Sequence, residues 1–318
     1  MAKKHILLKA AACSAAVVGG VSIAFNQLVL TRASRTISDK ADAIRAKKNP
    51  QTEKPQKDIL REQSTEWYNN QNLRNVTSVN FQNKIIHAVI IDAPEKTDKW
   101  VIISHGFTSD PAGMTDYAQA FHKMGYNILL PVLRGHGISE EKYITMGWFD
   151  RLDILDWIKY IINIDADAQI VLHGVSMGGA TVMMTTGESL PVNVKCAVED
   201  CGYSSVWDEY SNELRKTYHL PVFPLLYVTS SITKVICGYG FKEASSIEQV
   251  KKSKTPTLFI HGEKDEFVPY RMLDLNYNAA GCIKEKLSIP DAEHAESCRV
   301  HPEIYWPEVE KFIKKYVK

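Results

Sequence analysis

The sequence predicts an α/β fold, a mostly parallel central sheet with helices on both faces. Three short apolar runs carry this expectation: Lys99-Trp100-Val101-Ile102-Ile103-Ser104, Gln169-Ile170-Val171-Leu172-His173 and Pro256-Thr257-Leu258-Phe259-Ile260. Each has the length and near-continuous hydrophobicity of a strand buried on both faces. A fourth run, Lys286-Leu287-Ser288-Ile289-Pro290, reads as the last strand.

The second run leads directly into Gly174-Val175-Ser176-Met177-Gly178, and then into the helix-like Gly179-Ala180-Thr181-Val182-Met183-Met184. A strand that turns this sharply into a helix forces the central residue into strained geometry and lifts its hydroxyl above the sheet. The flanking positions must be small because neighbouring backbone passes close by. Ser176 is therefore the candidate nucleophile. A serine hydroxyl is weakly nucleophilic at neutral pH, so a histidine must take its proton and a carboxylate must orient that histidine. With this elbow the acid and then the histidine follow the serine in the chain.

Of the ten histidines, His294 and His301 lie far enough downstream to follow an acid on a later strand. His294 sits in the polar loop Asp291-Ala292-Glu293-His294-Ala295-Glu296 just after the last strand, and is the candidate base. His301 precedes Pro302 and reads as a helix-entry residue. The acid belongs at the end of the preceding strand, where His261-Gly262-Glu263-Lys264-Asp265-Glu266 offers Glu263, Asp265 and Glu266. The residues alone leave these three open.

From about Val76 to the C terminus the chain resembles the α/β-hydrolase superfamily. The resemblance rests on the elbow, the histidine loop and His261-Gly262-Glu263-Lys264-Asp265 followed by Val268-Pro269. It implies that Asp265 is the acid. It also implies an oxyanion hole, in which the residue after His105-Gly106 supplies one backbone N–H, matching Phe107. The residue after the nucleophile supplies the other, matching Met177. Leu133-Arg134-Gly135-His136-Gly137-Ile138-Ser139 resembles a segment of esterases and monoacylglycerol lipases. There His136 is expected to hold a tight loop rather than do chemistry.

Composition fits one enzyme domain with an appended N terminus. Of 318 residues, 45% are hydrophobic and 24% charged, with a net charge of +1, so nothing points to nucleic acid. No CxxC or HExxH spacing occurs, and neither cofactor nor metal is expected. The expected organisation is a membrane anchor or signal segment over 1–35, a stalk over 36–75 and a catalytic domain over 76–318. Lys3, Lys4 and Lys9 precede an apolar stretch from Ala10 to about Leu30, just long enough to span a bilayer. If it is an anchor, deleting it should leave an active enzyme. Arg32, Arg35, Lys40, Arg45, Lys47 and Lys48 favour a cytoplasmic catalytic domain by charge count. The resemblance to bacterial membrane-bound cell-surface hydrolases instead implies the outer face. That likeness extends to Asp200-Cys201-Gly202-Tyr203-Ser204-Ser205-Val206-Trp207 and Ala244-Ser245-Ser246. Secretion after signal cleavage is the remaining alternative.

Between about 203 and 250 the chain exceeds what a strand-to-strand crossover needs, and the resemblance implies a helical cap over the nucleophile. Val206 to Tyr218 has a helical pattern. His219 to Tyr227 and Ile232 to Phe241 are apolar enough either to pack the cap or to line an acyl pocket. The expected activity is hydrolysis of small or medium acyl esters through an acyl-enzyme. A prolyl-oligopeptidase-type peptidase, or a non-catalytic surface binding protein on the same fold, are the alternatives.

Overall fold

The computed structural model describes residues 18–27, 29–31, 35 and 55–318. Its centre is an eight-stranded sheet of order β1-β2-β4-β3-β5-β6-β7-β8. The strands are β1 (Arg74–Val79), β2 (Ile85–Ile91), β3 (Lys99–Ser104), β4 (Asn127–Pro131), β5 (Gln169–Val175), β6 (Val194–Asp200), β7 (Thr257–Gly262) and β8 (Lys284–Ile289). β1 and β2 pair antiparallel, as do β2 and β4; every other pairing is parallel. The four strands expected from sequence are thus β3, β5, β7 and β8.

The helices are α1 (Gln56–Asn69), α2 (Thr115–Lys123), α3 (Asp150–Ile164), α4 (Met177–Thr186), α5 (Val206–Lys216), α6 (Leu225–Cys237), α7 (Ser246–Val250), α8 (Arg271–Ala279), α9 (Ser297–Val300) and α10 (Pro302–Ile313). They cover both faces, so the parallel strands need apolar side chains on both sides. β3 shows the consequence. Trp100 and Ile102 join one core with Ile154, Trp157 and Met183, while Val101 and Ile103 join another with Tyr117, Phe121 and Phe312.

The cap lies between β6 and β7 and consists of α5, α6 and α7. Ser205 caps α5 by accepting from the Asp208 N–H at 3.0 Å, and Ser245 caps α7 by accepting from the Glu248 N–H at 3.3 Å. Instead of two separate apolar runs there is one helix, α6, spanning the end of the first and the start of the second.

One expectation about the N terminus needs correction. Residues 56–69, expected within a stalk, form α1, which is packed on the body: Ser64 Oγ lies 3.0 Å from Thr115 Oγ1, and the Trp67 and His122 rings are 5.2 Å apart. The expected membrane span over Ala10–Leu30 falls partly outside the described residues, and among those described no helix is long and apolar enough to cross a membrane. Residues 18–27 are helical and contact the cap. Thr229 Oγ1 donates to Ser22 Oγ, and Thr233 Oγ1 donates to Asn26 Oδ1, each at 2.9 Å and each buried. The two pairs advance by four residues on both helices, so these helices run side by side in the same direction. Further on, Leu30 is fully buried, its carbonyl accepts from the Ile144 N–H at 3.0 Å, and Arg35 pairs with Asp110 at 2.5 Å. The described part of this segment is thus hydrogen-bonded to the rest of the fold.

Candidate active site

The residues singled out from sequence converge at the C-terminal ends of the parallel strands, where loops from β3, β5, β7 and β8 meet. At the end of β5 the chain makes the expected elbow. Ser176 has φ 57° and ψ −117°, and its N–H donates to the Asp200 carbonyl at 2.8 Å. The glycines on either side are required sterically: a Cβ on Gly174 would collide with the Gly178 carbonyl, and one on Gly178 with that of Ser104. α4 then starts at once with Met177.

Ser176 Oγ lies 2.8 Å from His294 Nε2, and His294 Nδ1 lies 2.7 Å from Asp265 Oδ2. An ionised carboxylate only accepts, so Nδ1 carries the proton and Nε2 is free to receive the serine hydroxyl. Asp265 Oδ1 accepts from the N–H groups of Phe267 and Val268 at 3.0 and 2.9 Å. Burial alone would raise the Asp265 carboxyl, but hydrogen bonds from His261 and His294 outweigh it and hold the group below the usual carboxylate range. Glu263 and Glu266, the other sequence candidates, are exposed and do not take this position. His301 pairs instead with Glu303 at the start of α10.

His261 is the contributor that sequence reasoning left unassigned. Its Nε2 is 3.2 Å from Asp265 Oδ2 and 2.9 Å from the Val268 carbonyl, so it braces the acid and its loop together. The signal was present in its spacing four residues before Asp265.

Met177 directly follows Ser176, and Phe107 directly follows Gly106. Gly106, just before Phe107, comes so close that an added Cβ would lie 4.0 Å from Ser176 Oγ. Two histidines stiffen this loop. His105 Nδ1–H donates to the Gly106 carbonyl at 2.9 Å, and its Nε2 accepts from the Leu133 N–H at 3.2 Å. His136 Nδ1–H donates to the Arg134 carbonyl at 2.9 Å, and its Nε2 accepts from the Thr108 N–H at 3.2 Å. Burial lowers the pKa of both, which favours the neutral rings these bonds require. His136 therefore holds a loop, as its two glycine neighbours suggested.

Among the described residues, one group of metal-type donors lies close enough together to hold an ion: Cys201, Asp265 and His294. Its carboxylate and imidazole are already bonded to each other, and burial pushes the Cys201 thiol up, favouring neutral S–H.

Beside the site, between the cap and the N-terminal helical segment, is a cavity of about 400 Å³. Phe107 and Phe267 form its end nearest the serine, and the Phe267 ring sits 4.9 Å from that of His294. Leu214, Leu220, Leu225 and Leu226 of the cap make much of its wall, and Glu213 is the one carboxylate lining it among the described residues.

Residues 95–219 match the family model described as serine aminopeptidase, S33. The uncharacterized protein YqkD of Bacillus subtilis is 27% identical over 222 residues, covering 70% of this chain and 73% of that one. The esterase Pf2001 of Pyrococcus furiosus superimposes with a TM-score of 0.64 at 25% identity, covering 78% of this chain and 94% of that one. An acylaminoacyl peptidase of Pyrococcus horikoshii shares the fold at a TM-score of 0.55 and 17% identity, with coverage of 78% and 42%. With its mostly parallel eight-stranded sheet and these relatives, the chain has the α/β-hydrolase fold and is similar to hydrolases of that superfamily.

Proposed function

We propose that the protein is a serine hydrolase that cleaves uncharged carboxylic esters through an acyl-enzyme. The observation that carries this reading is the continuous hydrogen-bonded line from Ser176 Oγ through His294 to Asp265, centred on a serine with positive φ. Ser176 attacks the ester carbonyl while His294 Nε2 takes its proton. The negative charge that develops on the carbonyl oxygen meets the N–H groups of Phe107 and Met177, which need no reorganisation. His294 then protonates the leaving alcohol. A water, deprotonated in turn by His294, attacks the acyl-enzyme and releases the acid. Asp265 keeps His294 in the tautomer that accepts from serine and offsets its charge once protonated.

The cavity favours an apolar acyl group, because its walls are largely aliphatic and aromatic and its one carboxylate repels anions. Glu213 also supports a second reading, an aminopeptidase in which that carboxylate pairs with a substrate ammonium group. A fluorophosphonate probe should label the protein at Ser176 and fail to label Ser176→Ala. Turnover of p-nitrophenyl esters well above that of aminoacyl p-nitroanilides supports the esterase, and the reverse ranking supports the peptidase. Substantial ester turnover by a folded Ser176→Ala protein overturns the nucleophile assignment.

A further inference from the structure

We infer that the N-terminal helical segment forms one wall of the acyl-binding cavity and sets the length of chain the enzyme accepts. This rests on the esterase reading for its catalytic consequence, but the binding it describes does not depend on turnover. Val21, Ala24, Phe25 and Val29 recur at helical spacing and line the cavity opposite the cap leucines. The adjacent face of the same segment carries Ser22 and Asn26, hydrogen-bonded to α6, so the wall is held at a defined height. Phe25 is clamped edge-on against Tyr210, with ring centroids 5.1 Å apart at 89°, and lies 6.3 Å from Phe241. Beyond the wall, Leu30 is tied to Ile144, and Arg35 reaches Asp110, three residues after Phe107. The segment thus straps the cap to the loop carrying one proposed oxyanion donor. Without it, the cavity would lose a side and open to water.

Ala24 is exposed on the cavity side, so a larger side chain there can enter the cavity without displacing core atoms. In the full chain, Ala24→Trp should discriminate by chain length, lowering turnover of acetate esters less than that of long-chain esters. Decanoate-ester turnover should fall at least tenfold, a loss of about 1.4 kcal/mol or more in transition-state binding. Phe25→Ala should shift preference the other way, towards longer or bulkier acyl groups. Binding of 1-octanol, read by calorimetry, tests the wall without any chemistry: the parent should bind, and Ala24→Trp should bind at least tenfold more weakly. An unchanged chain-length profile together with parental octanol affinity in a folded Ala24→Trp protein overturns the inference. If the parent binds octanol and Ala24→Trp does not, yet neither hydrolyses any ester, the wall stands and the esterase reading falls.

Discussion

At Ser176 the chain accepts a left-handed backbone conformation that costs of the order of 1–3 kcal/mol for a non-glycine residue. The surroundings over-determine it. Its N–H is bonded to β6, α4 begins at the next residue, and glycines on both sides admit backbone that a Cβ would exclude. The serine hydroxyl is thereby held within reach of His294 before substrate arrives. Asp265 is as firmly set, with both oxygens occupied. Asp265→Asn should leave the fold intact but lower kcat roughly 10⁴-fold, because an amide in that place allows the wrong histidine tautomer. Steady-state kinetics on the folded variant checks this. A near-parental kcat in Asp265→Asn, with loss of activity in Glu263→Gln, would move the acid to Glu263.

At the scale of elements, the cap is the least conventional part of the molecule. α5 buries Glu209 with neither carboxylate oxygen hydrogen-bonded, and burial drives its pKa well above the ordinary value. The sign follows directly. A carboxyl whose folded pKa exceeds its unfolded one contributes most to stability below the unfolded value. That contribution is lost as pH rises towards the folded value. Glu209→Met, which removes the unpaired group but keeps similar bulk, should raise stability at neutral pH by about 1–3 kcal/mol. The gain should shrink on acidification towards pH 4. Urea denaturation at several pH values measures both, and a gain independent of pH would show that ionisation of Glu209 is not its cause.

Across the whole molecule, the loop after β4 is bound to α3 by one buried ion pair. Arg134 Nε and Nη2 reach the two oxygens of Asp153 at 2.6 and 2.7 Å, and the guanidinium lies over Phe81 and Phe149. The Arg134 N–H also donates to Asp150 at 2.8 Å. Because His136 hangs from this same loop and accepts from the Thr108 N–H, the pair supports the loop after β3 at a distance. Arg134→Ala leaves a buried carboxylate uncompensated and should cost about 3–5 kcal/mol, seen as a lower urea midpoint. Loss of less than 1 kcal/mol would mean that water replaces the guanidinium.

Much of the site was legible in the chain. The elbow, the order serine, acid, histidine and the strand ends are local or sequential features, because a parallel sheet delivers the C-terminal ends of its strands to one edge whatever the details of packing. For the same reason β3, β5, β7 and β8 could be read from near-continuous apolar runs. Choosing Asp265 over Glu263 and Glu266 needed the resemblance. The bracing by His261 needed the fold, since three acids in one loop differ only in where the loop places them. At the N terminus the chain leaves a choice open, because an apolar helical stretch is equally suited to lipid and to a protein groove. Ser22 and Asn26 look like mild flaws in a membrane span, and only the position of Thr229 and Thr233, some two hundred residues away, makes them hydrogen-bond partners. The chain alone shows an apolar stretch; only tertiary contacts decided that its polar residues Ser22 and Asn26 are buried against α6, because Thr229 and Thr233 stand there to bond them.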